Sequence, residues 1–272
     1  MIVIEDPDDP RVAPFRLNER GLTSRAQRRD DGGDGLFMAE GDLVVERALD
    51  AGCAPVAALV DAKHPPEIVD RLAALVPIYS GGERLRAAIT KLGMPYSVVA
   101  LFRRPARAPV AELIATTNRL VIVEAVDNPV NIGSIARNAL ALGWDGLLLD
   151  STSADPLARR ALRVSMGHSL HLPHARAPDV AAAVNDLTAQ GVVVCALTPA
   201  PYALPLDQVP RAPRVAVIVG SERGGLTDAT MAAATYRVSI PMQDGVDSLN
   251  VAAATAIACW QLRSAGAGAA DR

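Results

Sequence analysis

Three polar segments in the second half of the chain carry the residues whose types and spacing suit chemistry: Asp127-Asn-Pro-Val-Asn-Ile-Gly-Ser-Ile-Ala-Arg137, Gly220-Ser-Glu-Arg-Gly-Gly-Leu226 and Pro241-Met-Gln-Asp-Gly-Val-Asp-Ser-Leu-Asn250. They combine carboxylates, amides, a hydroxyl and a guanidinium, groups that hold a polar substrate and steady a developing charge. Spacing excludes several common chemistries. A nucleophile elbow needs G-x-S-x-G, and Gly220-Ser-Glu-Arg-Gly224 places its serine one position early. Neither a G-x-x-x-x-G-K-[ST] phosphate loop nor a G-x-G-x-x-G turn after a strand is present, which disfavours nucleoside-triphosphate and ordinary dinucleotide enzymes. His168, His171 and His174 form H-x-x-H-x-x-H, but a period of three spreads side chains around a helix and Pro173 breaks the run, so no metal site is expected.

Each polar segment follows a short apolar run, at 120–124, 215–219 and 236–240, and further runs occupy 146–149 and 192–197. Helical patterns at 132–142, 156–165, 179–189 and 249–263 separate them. Near-continuous apolar strands alternating with helices predict an α/β domain whose parallel sheet is covered on both faces. Ligands of such sheets bind at the carboxyl ends of the strands, where all three segments fall. Upstream, β-rich runs at 55–60 and 96–102 alternate with helical patterns at 43–51, 67–75 and 82–92, a smaller α/β unit. Arg103-Arg-Pro-Ala-Arg-Ala-Pro109 interrupts both periodicities and reads as a linker. The expected organisation is an N-terminal arm and α/β domain at 1–104, a linker at 105–117, a catalytic domain at 118–265 and a flexible small-residue tail at 266–272.

Half of the 272 residues are hydrophobic and 21% are charged, which excludes a mostly disordered chain. No apolar run approaches the roughly 18 to 20 residues of a membrane helix. The start, Met1-Ile-Val-Ile-Glu-Asp-Pro-Asp-Asp, carries acids where a signal peptide is positive, so a cytoplasmic protein is expected. Cys53, Cys195 and Cys259 are too far apart for a C-x-x-C site and read as small core residues. The net charge of −3 hides clustering, and of 27 Lys and Arg residues only Lys63 and Lys91 are lysine. Arginine's planar fork matches phosphate oxygens, although an arginine-rich genome gives the same composition.

Read in order, the three segments resemble the SpoU (TrmH-like) branch of the SPOUT RNA methyltransferases. The N-x-G-x-x-x-R motif is Asn131, Gly133 and Arg137; G-x-E-x-x-G-L is Gly220, Glu222, Gly225 and Leu226; the third is Ile240-Pro-Met242 followed by Ser248-Leu-Asn-Val251. Gly35-Leu-Phe-Met-Ala-Glu-Gly41 with Val44-Val-Glu-Arg-Ala-Leu49 is similar to the family's substrate-binding module. The resemblance implies methyl transfer from S-adenosylmethionine to a ribose 2′-hydroxyl in tRNA or rRNA, a deep trefoil knot in the C-terminal domain, and a homodimer. It places the cofactor on Gly220, Ile240, Met242 and Leu249, and makes Arg137 catalytic within a polar set of Asn131, Glu222, Ser248 and Asn250. Base methylation, or RNA binding without catalysis, are the alternatives.

A guanidinium is effectively always protonated, which favours phosphate binding and alkoxide stabilisation by Arg137 over literal base chemistry. Asn131 and Asn250 also suit helix caps. RNA backbone contact is expected at Arg25, Arg28, Arg29, Arg103, Arg104, Arg159, Arg160 and Arg163. The last helix, apolar on nearly every side, is expected either wholly in the core or partly against a second subunit, with Trp260 as anchor.

Overall fold

The computed structural model describes residues 1–24 and 35–264, so Arg25, Arg28, Arg29 and the 266–272 tail lie outside the described residues. The chain divides into two compact units, Met1–Arg107 with Leu157–His171, and Ala108–Pro156 with Leu172–Arg272.

The first unit holds a five-stranded sheet of β1 (Ile2–Val3), β2 (Leu36–Glu40), β3 (Pro55–Asp61), β4 (Ile78–Gly81) and β5 (Val98–Arg103), in the order β1-β4-β3-β5-β2. β5 runs antiparallel to β2 and β3, while β3, β4 and β1 are parallel. Alternate residues separate onto two faces, as a two-residue period requires. Phe37, Ala58, Val60 and Phe102 pack on one side with Val44, Val45 and Leu72, and Met38, Leu59, Val99 and Leu101 on the other with Phe15 and Ile89.

Residues 157–171 belong to this first unit, where the sequence reading assigned them to one continuous catalytic domain. Leu157 and Leu162 complete the Phe37 cluster, and the helix Arg159–Val164 brings two guanidiniums to the buried carboxylate of Glu40. Arg159 Nε donates to Glu40 Oε1 at 2.8 Å, and Arg163 Nη1 lies 3.3 Å from Oε2. A buried carboxylate requires such partners, so Arg159 and Arg163 are engaged inside the unit. Arg104 is buried at the end of the β2–β5 ladder, its N–H donating to Gly35 O. Of the described arginines expected on RNA, Arg103 and Arg160 are exposed.

The second unit is built on seven strands, all parallel: β6 (Arg119–Glu124), β7 (Gly146–Leu149), β8 (His174–Arg176), β9 (Val193–Leu197), β10 (Leu204–Pro205), β11 (Val215–Gly220) and β12 (Tyr236–Ser239), in the order β10-β12-β9-β11-β6-β7-β8. The β-branched runs of β6 and β11 suit the fully buried centre. Their odd positions (Val121, Val123, Val217, Val219) face one core layer with helices Pro129–Ala141 and Val251–Gln261. Their even positions (Leu120, Ile122, Ala216, Ile218) face another with Val180–Ala189. The expected linker is partly helical: Val110–Thr116 buries Leu113 and Ile114 in the second layer. Pro109 starts it without a capping side chain, which hid it from the sequence. The three histidines divide between units, His168 and His171 in the first and His174 in the second. Among the described residues no His, Cys, Asp or Glu cluster is placed to hold a metal, and no helix is long and apolar enough to cross a membrane.

One buried cation ties the floor of the second unit together. Arg119 donates from Nε to Leu262 O at 3.1 Å, from Nη1 to Asn118 O at 3.0 Å and to Pro213 O, and from Nη2 to Ala212 O at 3.1 Å. It thereby closes the C-terminus of the last helix, where cations are favoured. Arg119→Met strands these carbonyls and should lower stability by about 3 kcal/mol. Urea unfolding checks this; an unchanged midpoint would contradict the clamp.

Candidate active site

The three polar segments leave the ends of β6, β11 and β12, and one amide or carboxylate from each meets the others. Asn131 Nδ2 donates to Glu222 Oε1 at 3.0 Å, and Asn250 Nδ2 donates to the same oxygen and to Asn131 Oδ1, both at 3.1 Å. Asn128, with its carbonyl oxygen 2.9 Å from the Val130 N–H, caps the helix Pro129–Ala141. Asn131 therefore sits inside the first turn, buried and directed at Glu222. Asn250 does both jobs: its Oδ1 caps the helix Val251–Gln261 by accepting from Ala252 and Ala253, while its Nδ2 joins the cluster.

Two cavities flank this cluster. One, of about 360 Å³, is lined by Gly220, Glu222, Ile240, Met242, Ser248 and Leu249 together with Leu197 and Val219. The other, of about 370 Å³, is lined by Ala125, Val126, Asp127, Asn128 and Asn131. Ser221, Glu222, Arg223 and Val251 border both. All four residues expected at a cofactor line the first cavity, with Ser248 and Glu222 of the expected polar set.

The wall between the cavities is a tight turn. Gly225 N–H donates to Ser221 O and Gly224 N–H to Ser221 Oγ, both at 3.0 Å. The turn folds so closely on Gly220 that a Cβ there would stand 2.3 Å from Gly225 C and 2.6 Å from Leu226 N. Real Cβ atoms do not approach backbone so closely, so only glycine fits. The far end is pinned by Glu124, whose Oε2 accepts from Thr227 N–H at 2.9 Å and whose Oε1 accepts from the Thr227 and Thr230 hydroxyls at 3.0 and 2.8 Å.

Sequence reasoning missed Glu124, Thr227 and Thr230. The available signal was a carboxylate ending an otherwise apolar central strand, which must be paired when buried. Sequence reasoning also missed Ala125, which is left-handed at φ 57°. Such a conformation costs a non-glycine residue about 1 kcal/mol. Flanking bonds hold it: Val126 N–H donates to Ser153 Oγ at 3.0 Å, and Ala154 N–H to Val126 O at 2.9 Å.

Arg137 lines neither cavity. It is exposed on the Val130, Ser134 and Ala141 side of its helix, whereas Asn131 faces inward. That helix packs on the last one, Asn138 Nδ2 donating to Ala252 O at 3.4 Å. The core does not take the whole last helix: Ile257 is 41% exposed and Trp260 56%. The cysteines are buried and inert, the Cys195 thiol pushed up to about 12 by desolvation.

Comparison with known proteins gives the same assignment. The model of the SpoU rRNA Methylase family matches residues 118–260. A Mycobacterium tuberculosis (strain ATCC 25618 / H37Rv) protein, named an uncharacterized tRNA/rRNA methyltransferase, is 38% identical over 266 residues, covering 96% of this chain and 91% of the relative. The 23S rRNA (guanosine(2553)-2'-O)-methyltransferase of Bacillus subtilis (strain 168) is 30% identical over 227 residues, covering 84% and 88%. The crystal structure of an rRNA methyltransferase from Sinorhizobium meliloti superposes with a TM-score of 0.79 at 26% identity, over 96% of each chain.

Proposed function

Because the chain belongs to the SpoU rRNA Methylase family, we propose that it transfers a methyl group from S-adenosylmethionine to a ribose 2′-hydroxyl of tRNA or rRNA. The observation that carries this reading is the placement of Glu222, on the wall common to two cavities and held there by amides from the other two segments.

The residues present suit the donor. A volume of about 360 Å³ lies within the roughly 300–1,000 Å³ of small-molecule sites. Apolar Leu197, Val219, Ile240 and Leu249 would cover an adenosine, and the turn packed against Gly220 brings backbone groups to the cavity wall. The Glu222 carboxylate bordering this cavity opposes a sulfonium in charge. When bound, S-adenosylmethionine supplies an electrophilic methyl group. The second cavity would take the target ribose, whose hydroxyls meet Asn131, Asp127 and Glu222, so that the chain's part is chiefly alignment of oxygen and methyl carbon.

Arg137 then serves a second copy of the chain. It faces outward on a helix that packs against the last one, and the last helix bears Ile257 and Trp260, exposed apolar side chains a homodimer would cover. From there its guanidinium would enter the partner's cavities, bind the adjacent phosphate and stabilise the alkoxide. A knotted C-terminal unit accords with the chain order: β11 lies between β6 and β9, and the segment after β12 returns to the Ser221–Gly225 turn before the last helix begins. The first unit, with exposed Arg103 and Arg160, would hold the RNA backbone.

The test is incubation of the protein with unmodified tRNA and rRNA transcripts and methyl-labelled cofactor, followed by digestion to nucleosides. Label in 2′-O-methylnucleosides is expected. Label on a base, or no transfer to any RNA, would overturn the proposal.

A further inference from the structure

The G-x-E-x-x-G-L motif leaves its fourth position open, and in this chain that position is Arg223. It occupies the apex of the turn closed by the Ser221–Gly225 bond, is exposed, and borders both cavities. The second cavity is otherwise anionic or neutral: Asp127 and Glu222 supply carboxylates, Asn128 and Asn131 amides, and Arg223 is the cation among its described lining residues. A cavity carrying two carboxylates repels a polyanion unless a positive group offsets them at the point of entry. The turn fixes the backbone that carries it. Ser221 binds the Gly224 and Gly225 N–H groups, Glu124 anchors Thr227 just beyond, and Glu222, next in the chain, is fixed by two amides. A guanidinium so placed binds a phosphate through two parallel N–H donors, which a lysine cannot match.

We propose that Arg223 binds a backbone phosphate of the RNA substrate beside the target ribose, as a substrate-binding residue of this chain. This rests on the methyltransferase reading above. The competing ligand is the carboxylate of the methyl donor, which the first cavity could present to the same side chain.

The test compares wild type, Arg223→Ala and Arg223→Lys as full-length proteins, using the RNA identified by the labelling experiment. Calorimetry with S-adenosylmethionine alone should give a Kd within about twofold of wild type for both variants. KM for RNA should rise about tenfold or more in Arg223→Ala, as expected for loss of a charge-assisted contact, with partial recovery in Arg223→Lys. The slope of log affinity for RNA against log salt should become shallower by about one in Arg223→Ala, one phosphate contact having been removed. An unchanged KM and salt slope would overturn the assignment, as would a weakened cofactor Kd with RNA binding intact. Failure of the wild-type protein to methylate any RNA would instead refute the function itself, so the two failures are distinguishable.

Discussion

Gly220→Ala is expected to reduce affinity for S-adenosylmethionine by at least about 100-fold, equivalent to some 2.7 kcal/mol, while the protein stays folded. The added Cβ would fall 2.3 Å from Gly225 C and 2.4 Å from Gly225 O. These are backbone atoms of a turn stapled at both ends, by Ser221 on one side and by Glu124 through Thr227 on the other. The strain cannot be relieved by a rotamer change, so the turn must open. That moves Glu222 off Asn131 and Asn250 and deforms the wall of both cavities. The hydrophobic layers beneath are untouched, because Gly220 is the last residue of β11. Calorimetry for the cofactor and a thermal melt for the fold would separate the two effects. Wild-type affinity in the variant would show that this turn does not shape the donor site.

Arg137→Ala is expected to lower kcat by about 100- to 1,000-fold, the range for loss of a group that stabilises transition-state charge, with cofactor affinity unchanged. Its outward position makes a sharper prediction. If Arg137 acts in the partner's site, Arg137→Ala and Gly220→Ala protomers complement each other. A mixed dimer then has one site with an intact Gly220 and an arginine supplied by its neighbour. Random exchange of equal amounts makes half of the dimers mixed, each with one competent site of two. The mixture should therefore recover about a quarter of wild-type activity, as two-fold symmetry requires. If Arg137 acts within its own chain, mixed dimers contain no complete site. No recovery after verified subunit exchange would refute action in the partner's site.

Much of this arrangement was legible in the sequence, for a definable reason. The central strands are buried on both faces, so β6, β9 and β11 appear as apolar runs. The groups with chemistry follow β6, β11 and β12, where Asn131, Glu222 and Asn250 do come together. What stayed hidden depends on long-range pairing. Glu124 reads as a strand residue until Thr227 and Thr230 are brought to it across 103 and 106 positions. Arg159 and Arg163 read as a basic face because Glu40, their partner, lies 119 positions before Arg159. The strands β8 and β10, of three and two residues, are too short to show a period. Arg223 carries no motif signature and gains meaning only from the two cavities it borders.

The excursion of residues 157–171 into the first unit means that no single cut divides the protein into its two halves. The polypeptide changes units at 107/108, 156/157 and 171/172, so a fragment ending at Arg107 lacks the leucines that finish its apolar layer and the guanidiniums that neutralise Glu40. Recombination that exchanged the first unit between homologues would have to carry two separated stretches of gene at once. The two units are thus inherited as one block, and chimaeras joined at the obvious proline-rich boundary should come out insoluble.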